Sequence, residues 1–245
     1  DAMANGVSIS PSTSAHQAQQ EFPQVSIGDM VHSQHQLLTE VLGITHLHAV
    51  MGISMGGMQT YEWVTTYPDF MERAVPIVGS PRLASYDLLL WTAELTALEQ
   101  ALDCDCNEAT ARELAGMISQ LALYSPDFHA RQDPHDQGAT LIADGRAGGM
   151  SLAIHDRVAQ LHAMIGHDIS TSFNGDWALT AEAVTAEMLV VVGTQDHMVT
   201  PGPALEFANL TNSQTLVFNN GCGHQSFRCE QDRAFDKIRA FLNAP

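Results

Sequence analysis

Three residues far apart in the chain have the types needed to activate a nucleophilic oxygen: Ser54, Asp196 and His224. A serine hydroxyl is a weak nucleophile until a base takes its proton. His224 would take it and later return it to a leaving group, while Asp196 would hold the imidazole tautomer and stabilise its cation. The serine is the middle of Gly52-Ile53-Ser54-Met55-Gly56, between an apolar run, Leu47 to Ile53, and a stretch of helix formers. A serine on so sharp a strand-to-helix turn holds strained backbone, and Cβ atoms at the flanking positions would collide with neighbouring elements. The turn lifts the hydroxyl above the sheet at the positive end of the next helix, where the Met55 N–H can donate to a developing oxyanion. Each residue also has an ordinary alternative: an incidental serine in a Gly-rich turn, a turn aspartate, a loop histidine. His197, beside Asp196, competes for the role of base and Asp168 for that of acid.

The elements that must carry these residues follow from the pattern. Residues 1–23 are rich in Ser, Gln, Ala and Pro and read as loop. Ser26-Ile27-Gly28-Asp29 matches a capping box; the helix it opens would place Met30, Leu37, Leu38, Val41 and Leu42 on one face and end at Gly43. The strand Leu47–Ile53 comes next, then a helix with Met58, Tyr61 and Val64, closed by Pro68. Ala74 to Val78 reads as a second strand, weakened by Pro76. From Arg82 to about Asp176 helical segments dominate (Tyr86–Leu102, Glu108–Tyr124, Met150–Ile165), with a polar, Gly-rich connection from Gln132 to Gly149. The strand pattern resumes at Met188–Val192, fully apolar as in a strand buried on both faces, and ends in Gly193-Thr194-Gln195-Asp196. Thr200-Pro201 starts a helix, Thr215–Phe218 is a last strand, and Glu230–Leu242 closes the chain with Phe235, Ile238 and Leu242 on its apolar side. Ser54, Asp196 and His224 thus each follow the carboxyl end of a different strand, the edge at which open α/β sheets bind ligands. The organisation expected is an α/β core, residues 1–81 and 177–245, with residues 82–176 as a helical lid over that edge.

Composition bounds the partners. The 245 residues carry 28 acidic and 10 basic side chains, a net charge of −18, which disfavours nucleic acid and anionic membrane surfaces. No apolar run approaches the ~20 residues of a bilayer span, and no signal peptide is visible. The cysteines at 104, 106, 222 and 229 lack redox or zinc spacing, so free thiols in a reducing, cytoplasmic setting are expected. No metal-ligand spacing occurs among the twelve histidines.

The run Gly52-Ile53-Ser54-Met55-Gly56-Gly57-Met58-Gln59, followed by Glu62-Trp63 and Tyr67-Pro68-Asp69, resembles the homoserine O-acetyltransferase family of α/β-hydrolases. Phe22-Pro23 to Gly43-Ile44, the Gly193 to Asp196 region and Gly223-His224 continue the match. The chain order Ser, Asp, His is that of α/β-hydrolases. The resemblance implies the α/β-hydrolase fold, a mostly parallel sheet flanked by helices. It also implies an acyl group passed from a thioester such as acetyl-coenzyme A to Ser54, then to an alcohol or water. It implies no metal or prosthetic group, and a homodimer formed through the lid helices. Three departures qualify it. The residue after the histidine is Gln225, where the family has an aspartate for the acceptor's ammonium. The lid reads Leu123-Tyr124-Ser125, without the arginine that pairs with the acceptor's carboxylate, leaving Arg112 and Arg131 as substitutes. The third is at the front, where the family has further strands and a loop giving a second oxyanion donor. Only about four sheet strands can be found here, and missing upstream sequence is the favoured reading. A serine-dependent esterase acting on small acyl esters is therefore expected ahead of homoserine acetylation, with a non-catalytic binding protein on a decayed scaffold as the rival.

Overall fold

A parallel sheet of four strands, in the order β1-β2-β3-β4, organises the described part of the chain. The strands are Leu47–Ile53 (β1), Met71–Ile77 (β2), Glu187–Gly193 (β3) and Gln214–Phe218 (β4). The computed structural model describes residues 2–104 and 106–244. Met188 to Val192 are all buried, as expected of a strand covered on both faces. Pro76 is accommodated inside β2, opposite Gly52 of β1. Among the described residues β1 is an edge, with Met51 50% and Ile53 48% exposed.

The helices are Ile27–Gln36 (α1), Met55–Thr66 (α2), Ser85–Asp103 (α3), Glu108–Leu123 (α4), Pro126–Gln132 (α5), Gly138–Gly149 (α6), Ile154–Ile165 (α7), Trp177–Glu182 (α8), Gly202–Leu210 (α9), Ser226–Cys229 (α10) and Gln231–Leu242 (α11). Among the described residues none is long and apolar enough to cross a membrane. The capping box at α1 forms as the sequence indicates: the Asp29 N–H donates to Ser26 Oγ at 3.0 Å and the Ser26 N–H to Asp29 Oδ2 at 2.8 Å. In α2, Met58, Tyr61 and Val64 are fully buried.

Four expectations are corrected. After Gln36 the helix widens into a π turn, Leu37–Val41. The widened turn rotates the apolar face outward, and Leu37, Val41 and Leu42 are exposed. The connection from Gln132 to Gly149 is largely helix, a short 3-10 turn at His135–Gln137 followed by α6. Its glycines serve a close crossing: a Cβ on Gly149 would lie 1.8 Å from the Arg112 carbonyl oxygen, and one on Gly116 2.2 Å from that of Gly145. In α11 the buried residues are Ala234, Ile238 and Phe241, while Phe235 is half exposed, one position off the expected face. Finally, the cysteines are paired. Cys104 and Cys106 are joined with Cα atoms 5.1 Å apart, and Cys222 and Cys229, brought together by α10, with Cα atoms 6.5 Å apart. Both separations suit a disulfide. The thiol argument for a reducing compartment falls with them.

The helices between β2 and β3 pack Trp91, Leu95 and Leu98 of α3 against Ala111 and Ala115 of α4 and Leu161 and Met164 of α7, continuous with Met30 of α1 and Met58 of α2. The amino-terminal segment joins this layer. Ala4 is fully buried, and the Ser12 N–H donates to Asp156 Oδ1 at 2.8 Å. Both ends of the insertion meet below it: the Ile169 N–H donates to the Pro81 carbonyl at 3.1 Å, and His167 Nε2 lies 3.1 Å from the Ser80 carbonyl. Burial of His167 pushes its pKa down from 6.5 to about 4, against smaller raising effects of the Ser80 carbonyl and Asp168.

That shift has a definite sign. The folded state holds His167 neutral while the unfolded chain binds the proton first, so the stability is fully present above the ordinary histidine pKa and falls as pH drops toward about 4. Urea unfolding between about pH 7.5 and about pH 5 should therefore cost wild type roughly 2 kcal/mol more than His167→Gln, which keeps a donor for Ser80 and cannot titrate. Equal losses in both proteins would remove His167 as a source of acid sensitivity. For the second disulfide, Cys222→Ser with Cys229→Ser should lower unfolding free energy by about 2 kcal/mol, the closure entropy of so short a loop. An unchanged denaturation midpoint would mean that packing alone holds that loop.

Candidate active site

Ser54 sits between β1 and α2 with φ 57° and ψ −117°, a left-handed backbone that serine rarely adopts. Its neighbours hold it there. The Ser54 N–H donates to the Ile77 carbonyl at 2.8 Å, and the Met58 N–H to the Ser54 carbonyl at 3.1 Å. A Cβ on Gly52 would fall 2.0 Å from the Gly56 carbonyl oxygen, so the turn closes only with glycine at that position. A further contact, Gly57 against Gly79, lets α2 lie on the end of β2: a Cβ on Gly79 would come within 2.6 Å of Gly57.

Asp196 follows β3 and His224 follows β4. Ser54 Oγ lies 2.9 Å from His224 Nε2, and His224 Nδ1 lies 2.8 Å from Asp196 Oδ2. Asp196 is 3% exposed and His224 4%. The other carboxylate oxygen, Asp196 Oδ1, accepts the N–H groups of Met198 and Val199, each at 2.9 Å. The carboxylate is thereby fixed in rotation, with one oxygen left for the imidazole. With Nδ1–H donating to Asp196, Nε2 is free to accept the serine proton. Of the competing candidates, His197 stacks edge-on to Tyr86 at 6.3 Å, and Asp168 accepts from the Ser170 N–H and hydroxyl at 2.9 and 2.6 Å. Met55 opens α2 directly after the serine.

The His224 loop is held from above and below. A Cβ on Gly193 would lie 2.4 Å from Ser226 Oγ, and one on Gly223 (φ +59°) 2.9 Å from Leu123 O and Tyr124 Cα. The Ser125 hydroxyl donates to the Gly221 carbonyl. The turn between α4 and α5 therefore rests on the backbone that presents the histidine.

A cavity of about 770 Å³ opens beside Ser54, lined by Met55, Trp91, Glu94, Arg157 and Met164 among others. Of the four residues expected to contact substrate, Arg112 lines it, with Nη2 donating to the Met150 and Leu152 carbonyls at 2.8 Å each. Tyr124 stacks on Phe128 at 4.3 Å, Gln225 lies in the turn that carries His224, and the Arg131 guanidinium lies over Gly221.

Sequence reasoning missed Asp87. Fully buried at the start of α3, it accepts from the Thr200 N–H at 3.1 Å and the Thr200 hydroxyl at 3.2 Å. This fastens the insertion to the loop carrying Asp196. Burial raises its pKa, against the lowering effect of those hydrogen bonds, and the charge of Asp196 adds a smaller raising effect. It also missed Glu94 and Arg157, which lie on separate helices with no motif to join them.

Residues 1–227 match the alpha/beta hydrolase fold family. An ethyl acetate hydrolase of Pseudomonas veronii is 38% identical over 255 residues, covering 98% of this chain and 73% of that protein. A homoserine O-acetyltransferase of Haloarcula marismortui is 47% identical over 264 residues, covering 91% of this chain and 64% of that protein. A probable acyltransferase of Methanothermobacter thermautotrophicus is 29% identical over 221 residues. The chain spans 66% of that last protein's length, and about two-thirds of these relatives generally. Among solved structures, the acetyl esterase MekB superposes with a TM-score of 0.87 at 26% identity, over 98% of this chain and 73% of that one. Both the sequence match over most of the chain and the agreement of backbone geometry lead to one statement: this protein belongs to the alpha/beta hydrolase fold family, close to its esterases and homoserine O-acetyltransferases.

Proposed function

We propose that the protein is a serine-dependent carboxylic ester hydrolase that works through an acyl-enzyme on Ser54. The single observation that carries this reading is the continuous hydrogen-bonded row from Ser54 Oγ through His224 to Asp196, at 2.9 and 2.8 Å. In the first half-reaction His224 Nε2 takes the Ser54 proton as Oγ bonds to the ester carbonyl carbon. The carbonyl oxygen gains the negative charge and receives the Met55 N–H at the amino end of α2. Collapse of this intermediate breaks the bond to the alcohol oxygen, which leaves with the proton from His224. In the second half-reaction water gives a proton to His224 as its oxygen bonds to the acyl carbon; the bond from that carbon to Ser54 Oγ then breaks, Oγ takes the proton back from His224, and the acid leaves. Asp196 stays ionised, holding the imidazole and balancing its transient charge. The chemistry is carried by these side chains and calls for neither a metal nor an organic prosthetic group. The insertion, residues 82–176, acts as a lid over the cavity.

A second reading is acyl transfer from acetyl-coenzyme A to homoserine, favoured by the similarity to the Haloarcula marismortui protein of that name. The two differ in the acyl donor, an oxygen ester or a thioester, and in what attacks the acyl-enzyme. Gln225 and the Tyr124-Ser125 pair favour water, because neither supplies the charge that would hold a zwitterionic acceptor.

Purified protein should release p-nitrophenol from p-nitrophenyl acetate and should not acetylate homoserine with acetyl-coenzyme A. A fluorophosphonate probe should label wild type but not Ser54→Ala, with esterase kcat falling by roughly 10⁴-fold or more. Labelling that survives in Ser54→Ala, or no turnover by wild type, would overturn the assignment. Asp196→Asn, which keeps the shape but allows the wrong tautomer, should lower kcat by about 10⁴-fold with little change in melting temperature. A loss under tenfold would mean that His224 is oriented by other contacts.

A further inference from the structure

One wall of the cavity beside Ser54 carries polar chemistry that the proton row does not use. Glu94 of α3, 1% exposed, is the buried centre of that wall. Its Oε1 accepts from Arg157 Nε of α7 at 2.6 Å, and its Oε2 accepts from the Ser119 hydroxyl of α4 at 3.0 Å. Arg157 Nη2 reaches Ser119 Oγ at 3.4 Å. All three residues line the cavity that holds Ser54.

The pair is asymmetric. Both carboxylate oxygens of Glu94 are occupied inside the wall, and its side chain is 2% exposed against 23% for Arg157. A guanidinium has five N–H donors in a planar fork, and those contacts engage two of them. Next to it, Trp91 lines the same cavity, with Arg157 Cζ 5.3 Å from the ring centroid. Trp91 is 3% exposed, and its indole N–H has no hydrogen-bond partner among the described residues. Leaving such a donor unpaired costs on the order of 1–3 kcal/mol. A buried ion pair adds little stability over apolar packing, because desolvation offsets the attraction. Two unfavourable features side by side on a substrate cavity point to a missing acceptor.

Charge indicates which acceptor. The chain holds 28 acidic and 10 basic side chains, yet among the described residues the charged ones lining this cavity are Arg112, Arg157 and Glu94, two cations to one anion. Arg112 has its Nη2 held by two backbone carbonyls, and its Nε is buried without a partner among the described residues; Arg157 is the cation that lies against Trp91, beside the unpaired indole N–H.

Building on the esterase reading above, we propose that Arg157, oriented by Glu94 and Ser119 and assisted by the Trp91 indole N–H, forms a carboxylate subsite selecting esters that bear a free carboxylate. A carboxylate suits a planar two-pronged donor better than a hydroxyl or carbonyl does. None of Trp91, Glu94 and Arg157 belongs to the stretches that carry the sequence resemblance.

Two matched pairs of substrates test this, one for each side of the ester bond. On the alcohol side, 4-acetoxybutanoate is compared with pentyl acetate; on the acyl side, monoethyl adipate with ethyl hexanoate. Acid release is followed at constant pH. The carboxylated member of at least one pair should have kcat/KM at least about tenfold higher, a value in keeping with one charge-assisted pair. The preference should vanish in the doubly neutral variant Glu94→Gln with Arg157→Gln, which leaves no unpaired buried charge, while turnover of the apolar ester persists. Arg157→Lys, keeping the charge without the fork, should retain part of the preference and guards against misfolding of the double variant. Turnover of the apolar esters with no preference in either pair would overturn the subsite and leave the esterase reading standing. So would a preference that survives in the double variant. No turnover of any of the four esters would overturn both.

Discussion

The rest of the site depends on a backbone held where serine does not go by itself. With φ 57° and ψ −117°, Ser54 occupies a conformation that costs on the order of 1–3 kcal/mol. Two hydrogen bonds, to Ile77 and from Met58, and a glycine at position 52 that permits contact with Gly56 keep it there. Relaxing the turn would gain local energy but break the strand-end contact and drive α2 away from β2, where Gly57 and Gly79 meet. The strain is therefore sustained by the sheet and not by the loop. Its result is a hydroxyl projecting past the strand end, next to a helix amino terminus, 2.9 Å from the imidazole of His224 on the loop after β4.

Much of this was legible in the sequence, for a physical reason. Buried parallel strands must be apolar on both faces, so Leu189 to Val192 could be read without ambiguity. Of the collisions expected at the glycines flanking Ser54, only the one at Gly52 is found, against the Gly56 carbonyl; a Cβ on Gly56 would meet nothing within 4 Å. The positions of Asp196 and His224 then follow from strand ends, because a parallel sheet brings all its carboxyl ends to one edge.

What was not legible depends on how helices meet. Glu94, Ser119 and Arg157 come from three helices, and no spacing in sequence announces that they converge. Gly145 and Gly149 read as loop formers because glycine lowers helix propensity. They are used instead as a flat face on which α4 lies almost backbone to backbone, a property that emerges only once the partner helix is in place. The face of α1 failed for a related reason. Its period is right up to Gln36, but the π turn that follows shifts the phase, and Leu37, Val41 and Leu42 leave the core. The cysteine pairs at 104–106 and 222–229 fit no recurrent redox or metal spacing, so the sequence offered no reason to join them.

These helix contacts bear on the chemistry because the insertion and the base are not independent. Gly223 admits Leu123 and Tyr124 against the histidine loop, Ser125 holds the Gly221 carbonyl, and Asp87 ties α3 to Thr200 beside Asp196. Any movement of the helices that exposes the cavity must break one of these contacts or carry the His224 loop with it. The loop resists being carried, since the Cys222–Cys229 bond ties it to α10 and the close approach of Ser226 to Gly193 holds it against the end of β3. The α4–α5 turn therefore belongs with the His224 loop and not with the rest of the insertion, since Leu123, Tyr124 and Ser125 rest on Gly221 and Gly223.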